Sequence, residues 1–152
     1  MQKLFLICVL LFGCSQAIPP DLKQATTGET KVFIESEELT DSIEYAVNFW
    51  NSFCPSFILT SDRDSAQVVV SIDNSIAWGD YNTHGLTTVT RDAAGKITFC
   101  DVKVSTDSLK TMSHEFGHCL GLEHILEGGF LMSHPDSDSF EITEDEIQKA
   151  CP

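Results

Sequence analysis

Apolar positions recur along this chain with two periods, and the changes of period mark its elements. Residues 18–30, IPPDLKQATTGET, have no periodicity and carry paired prolines, as a flexible leader would. Lys31 to Ser36 predicts a first strand. Thr40 or Asp41 then caps a helix, with Glu44 at capping-box distance from Asp41. Ile43, Ala46, Val47, Trp50 and Phe53 fall mostly at steps of three and four, which gives that helix one buried face before Pro55 ends it. Phe57 to Thr60 predicts a short strand. Ala66 to Ile72, AQVVVSI, is apolar with little alternation, the pattern of a strand covered on both faces. After a loop around Trp78-Gly79-Asp80, Leu86 to Thr90 and Lys96 to Val104 predict two strands joined by the turn Asp92-Ala93-Ala94-Gly95. Ser105-Thr106-Asp107 caps a second helix, buried through Leu109, Met112, Phe116, Cys119 and Leu120. Thr143 and Glu146 form another capping box, opening a short helix that ends near Cys151. There is no internal repeat. The order of elements predicts an α+β domain in which a mixed sheet carries two packed helices.

The 152 residues suit one domain with a core of its own. The first seventeen, MQKLFLICVLLFGCSQA, follow another logic: a basic Lys3, an apolar run from Leu4 to Phe12, then small residues at Ser15-Gln16-Ala17. That run is too short to span a bilayer and has the layout of a secretory signal. A lipoprotein signal with a lipid on Cys14 is the other reading. The expected organisation is a signal at 1–17, a leader at 18–30 and one folded domain at 31–152, and the expected location is extracellular. Without the signal, eight bases face 23 acids, a net charge of −15. Such a field repels nucleic acid and anionic lipid, so neither is expected as a partner. The acidity serves solubility, and although surface carboxylates can bind calcium, no run matches a calcium loop.

Four cysteines follow the signal: Cys54, Cys100, Cys119 and Cys151. An even count in an exported chain implies two disulfides, with three pairings open. The expectation is Cys54 with Cys100 and Cys119 with Cys151; the other reading leaves Cys119 as a buried thiol on the apolar side of its helix.

Three of the five histidines lie within residues 114–124, HEFGHCLGLEH. On a helix His114 and His118 stack one turn apart, and both imidazoles can reach one ion at about 2.0–2.1 Å. Gly121 can take the left-handed conformation that stops the helix, and three residues later His124 returns as a third nitrogen ligand. Three protein ligands and one open position characterise a catalytic zinc rather than a structural one. Glu115 is rotated from the ligand face by roughly 100° and can act as general base on a water there. The chemistry predicted is zinc-assisted hydrolysis of an amide. An accidental match at all five fixed positions is on the order of one in 10⁵ chains of this composition.

HEFGHCLGLEH resembles the signature of the metzincin metalloproteases, which also carry a methionine turn beneath the metal. Gly129-Phe130-Leu131-Met132-Ser133-His134-Pro135 is similar to that turn, and its short interval after His124 resembles the matrixins, the matrix metalloproteases among them. The final FEITEDEIQKACP resembles the matrixin C-terminal helix, and GLTTVT an edge strand along which substrate lies. The resemblance implies a mixed twisted sheet, mostly parallel with one antiparallel edge strand, and two main helices with a short C-terminal one. It further implies a monomeric, secreted zinc endopeptidase acting on polypeptides, with His114, His118 and His124 as metal ligands, Glu115 as catalytic base and Met132 as an apolar floor. The chain departs from matrixins at Ile125, where they carry serine or threonine. It offers only His84 for a second zinc, so one ion is expected, and no cysteine between Cys14 and Cys54 for a cysteine switch. His134 admits two readings: an oxyanion donor like the tyrosine of astacins and serralysins, or a turn histidine. His84 is given no role, and Trp50 and Trp78 are read as packing residues. From a different functional class, the alternative is an inactive secreted binding module that keeps the zinc scaffold; a retained Glu115 argues against it.

Overall fold

A computed structural model of the chain describes residues 29–78, 84–126, 128–133 and 139–151. The expected signal, most of the leader, Gly79-Asp80 and His134 to Asp136 lie outside the described residues, as does the side chain of Trp78.

Five strands form one sheet: β1 (Thr30–Ile34), β2 (Phe57–Thr60), β3 (Val68–Ile72), β4 (Gly85–Arg91) and β5 (Ile97–Val104), in the order β2-β1-β3-β5-β4. β2, β1, β3 and β5 run parallel, and β4 joins β5 antiparallel at the edge. The mixed α+β architecture is as the sequence implied. Val68, Val69 and Val70 in the central β3 are all buried, so its missing alternation reflects cover on both faces. In β5 the alternation is clear: Cys100, Val102 and Val104 are buried, and their neighbours less so. The β4–β5 turn is closed by Asp92, whose side chain accepts from Ala94 N at 2.9 Å and Lys96 N at 3.0 Å.

Two longer helices, α1 (Thr40–Asn51) and α2 (Leu109–Cys119), pack together, and a short α3 (Glu144–Ala150) follows. Trp50 fastens α1 to α2: it is fully buried and donates its indole N–H to the Ser113 carbonyl at 2.8 Å. Phe116 of α2 meets Phe57 of β2 edge to face at 5.0 Å. The core therefore lies between α1, α2 and the sheet, and α2 is buried along most of its length.

Local details shift some expectations. The Asp41–Glu44 capping box does not open α1. A 3-10 turn at Glu37–Leu39 leads directly into the helix, Thr40 Oγ1 donates back to Glu37 O at 2.6 Å, and buried Leu39 anchors the start. α2 is capped by Ser108 rather than by residues 105–107. Ser105 is still held to the sheet, donating its N–H to His84 O at 2.9 Å, and the helix cap comes three residues later. Phe53 and Leu109, expected on buried faces, are 38% and 45% exposed: Phe53 lies just past the end of α1, and Leu109 is the first residue of α2. The Thr143–Glu146 capping box is present with both reciprocal bonds.

The disulfide pairing expected from sequence is corrected: Cys54 bonds Cys151, and Cys100 bonds Cys119. Cys100 points from the inner face of β5 towards α2, which lies over that face, whereas Cys54 follows the end of α1, where α3 arrives. Cys119 is thus not a free thiol. No helix among the described residues is long and apolar enough to cross a membrane.

The two bridges close loops of very different length, 97 and 19 residues. In the chain-entropy account these are worth about 4.7 and about 3.2 kcal/mol. Replacing Cys54 and Cys151 by alanine should therefore destabilise the domain by about 1.5 kcal/mol more than replacing Cys100 and Cys119. Urea unfolding of the two double variants measures the difference.

Candidate metal centre and active site

The site begins with the end of α2. Gly121 has φ +86°, in the left-handed region that glycine enters without strain. Its N–H donates to His118 O at 2.8 Å, and Leu122 N donates to Gly117 O at 3.0 Å. This pair of bonds is a Schellman motif, which satisfies the last carbonyls and reverses the chain. The reversal carries His124 back over the helix.

The result is convergence of three rings. His124 Nε2 lies 3.0 Å from His114 Nε2 and 3.2 Å from His118 Nε2. Ligands at 2.0–2.1 Å around a tetrahedral ion would sit about 3.3 Å apart, so these spacings suit one shared centre. All three ligand atoms lie within 4.8 Å of one another.

The outer ring nitrogens fix the tautomers. His114 Nδ1 lies 2.6 Å from Leu131 O, and His118 Nδ1 lies 2.7 Å from Leu122 O. A carbonyl only accepts, so in each neutral ring Nδ1 carries the proton and Nε2 presents a lone pair inward. Burial, and then neighbouring His114, push the His118 imidazole down to about 4, which keeps it neutral. His124 can offer one proton at most to the two lone pairs facing it. Three nitrogens arranged this way fit a divalent cation, with borderline-soft imidazole suited to zinc.

Met132 lies beneath. It is fully buried, and a Cβ on Gly117 would stand 2.6 Å from its sulfur and 3.1 Å from Trp50 Cζ2. Glycine at 117 therefore leaves room for the Met132 side chain against α2, and any larger residue would force that side chain to move. Ile125 N donates to Met132 O at 2.9 Å, tying the segment after His124 to the same turn. Met132 is thus a buried apolar residue packed against α2 at Gly117, the residue before His118.

Glu115 leaves the ligand face and turns towards β4. Its side chain is buried, at 5% exposure, and Oε2 accepts a hydrogen bond from Thr87 Oγ1 at 2.5 Å. Burial pushes the carboxyl up to about 7, against the smaller opposing effect of the Thr87 hydroxyl. The sequence reading named Glu115 but neither Thr87 nor the carbonyls of Leu122 and Leu131. A threonine within GLTTVT gives no local sign that it meets a residue 28 positions away. His84 is exposed and stands apart from the three-histidine group, and His134 lies outside the described residues.

A buried helix with three converging imidazoles, a methionine floor and an adjacent buried glutamate has the features of a metallopeptidase domain. The family comparison places it further: the family model described as pregnancy-associated plasma protein-A (Peptidase_M43) matches residues 63–151. The chain belongs to this metallopeptidase family, which is of metzincin type. The match supports the metzincin class expected from sequence without singling out the matrixins. No individual curated protein matches the chain at a significant level.

The two displaced titrations have opposite effects on the metal-free protein. Glu115 binds its proton more tightly when folded, so its contribution to stability is present below its ordinary value of 4.5 and is lost as pH rises through about 7. His118 binds its proton less tightly when folded, so its contribution grows as pH rises from about 4 to its ordinary 6.5. Glu115→Gln removes the first contribution and keeps the second. The unfolding temperature of the metal-free variant should climb relative to the parent between pH 4.5 and about 7. A difference that does not change across that interval would place the titration elsewhere.

Proposed function

We propose that this chain is a secreted zinc endopeptidase in which His114, His118 and His124 hold one zinc and Glu115 is the general base. The observation that carries the reading is the convergence of the three Nε2 atoms at metal-ligand spacing. Residues 31–152 form the catalytic domain in this reading, preceded by an export signal at 1–17 and a leader at 18–30. The two disulfides are compatible with an extracellular location.

Zinc bound to the three imidazoles would supply a Lewis acid that polarises the scissile carbonyl and acidifies water. The chain's own residues supply the rest. Leu131 and Leu122 hold the ligand rings in the tautomer that donates a lone pair. Glu115 takes the proton from the attacking water and returns it to the departing amine. A carboxyl displaced to about 7 is suited to both transfers near neutral pH. β4 pairs with β5 along one edge among the described strands. Its other edge can pair with an extended polypeptide, which aligns one peptide bond with the centre.

The purified protein should contain about one zinc per chain, lose cleavage of an unfolded protein substrate on chelation, and regain it with added zinc. Glu115→Gln should lower kcat by about 10²- to 10⁴-fold while keeping zinc bound. Zinc-loaded protein that cleaves nothing, with or without Glu115, would instead identify a binding module. Cleavage at the parent rate by Glu115→Gln would remove the glutamate from the mechanism.

A further inference from the structure

β4 does more at the site than offer an edge. Its residues alternate between faces, and Gly85, Thr87 and Val89 share the less exposed one. Register pairs these three with Val104, Val102 and Cys100 of β5, all buried. Cys100 on this face is bonded to Cys119 of α2. The face therefore lies under the ligand-bearing helix, and two of its β4 positions meet Glu115.

The contacts at those positions are complementary. A Cβ on Gly85 would stand 2.7 Å from both Cγ and Cδ of Glu115 and closer still to Oε1. The backbone of Gly85 does not require glycine through a left-handed φ; the space for the carboxylate does. Two residues on, Thr87 Oγ1 donates to Oε2 at 2.5 Å, with the Glu115 backbone carbonyl a longer 3.3 Å from the same hydroxyl. One position vacates volume for the carboxylate and the next occupies one of its oxygens. A buried glutamate with several rotatable bonds has many poses, and this pair restricts it to one.

We propose that Gly85 and Thr87 form a seat on β4 that positions the Glu115 carboxylate, with Thr87 a positioning residue for the general base. The proposal rests on the reading of Glu115 above. With one oxygen engaged by Thr87, the other faces the glycine gap and is left to exchange protons with the reactants. Thr87 touches neither substrate nor metal ligands in this account and acts only through Glu115.

The test compares Thr87→Val, which keeps the shape and loses the hydroxyl, with Thr87→Ser, which keeps the hydroxyl, and with Glu115→Gln. Thr87→Val should lower kcat about 10- to 100-fold, the scale of a misplaced catalytic group, with KM and zinc affinity within about twofold of the parent. Thr87→Ser should recover most of the loss. A second readout needs neither metal nor turnover: in metal-free protein, the unfolding-temperature shifts of Thr87→Val and Glu115→Gln should be non-additive when combined. If Glu115→Gln abolishes turnover while Thr87→Val turns over like the parent, the seat is overturned and the glutamate's role stands. If Glu115→Gln turns over normally, the parent reading has failed instead. Loss of zinc affinity together with kcat in Thr87→Val, or additive shifts, would mark a merely structural threonine and also overturn the proposal. Should Thr87→Val not fold, Gly85→Ala gives the same decision: kcat falls with zinc retained if the seat exists, and an unchanged kcat refutes it.

Discussion

The arrangement depends on where two imidazole protons are held. His114 and His118 each point Nδ1 at a backbone carbonyl within 2.7 Å, one from the methionine turn and one from the helix's own reversal. Those carbonyls are part of the fold, so the tautomer is set before any ion arrives. Without them, a buried neutral histidine could place its proton on either nitrogen, and half of the states would block the centre. Placing lone pairs close together is unfavourable for a metal-free protein, and the surrounding packing has to bear that cost.

The packing around α2 shows how. Trp50 holds one side through Ser113, and the Cys100–Cys119 bridge holds another at the residue after His118. Met132 closes beneath at Gly117. Each constraint comes from a different part of the chain, so α2 cannot rotate without breaking several. Rotation matters because His114 and His118 share one face of the helix, and that face meets His124 only while the helix keeps its register. The Schellman turn at Gly121 then converts that register into the position of the third imidazole.

How far the site could be read from sequence follows from this division between local and distant contacts. The step of four between the first two histidines and the glycine before the third are local geometry, and the structure realises them as spacing implied. The strand pattern of AQVVVSI likewise disclosed a central position in the sheet. Contacts made across the fold gave no such signal. Cys100 pairs with Cys119 because β5 sits under α2, and that depends on strand order rather than on the distance between cysteines. Thr87 is silent for the same reason. Even the start of α2 lies later than the sequence implied: Ser105 extends the sheet by its bond to His84, and Ser108 supplies the cap.

The antiparallel direction of β4 ties these observations together. A fifth strand parallel to β5 would need a long crossover over one face of the sheet. An antiparallel β4 needs only the turn closed by Asp92, and the face over β4 and β5 stays open for α2 to lie on. The same strand then meets two demands that its period of two keeps separate. Gly85, Thr87 and Val89 face the helix, while Leu86 and Thr88 face outwards and are exposed. Burying Glu115 beside such a strand is costly for a charged carboxylate, which is why its proton is held up to about 7. The Thr87 hydroxyl offsets part of that cost by donating to the charged form. A fully apolar seat would drive the carboxyl further towards its protonated form, and an open aqueous one would return it to the ordinary range. The strand holds it between the two, where one group can both accept and release a proton.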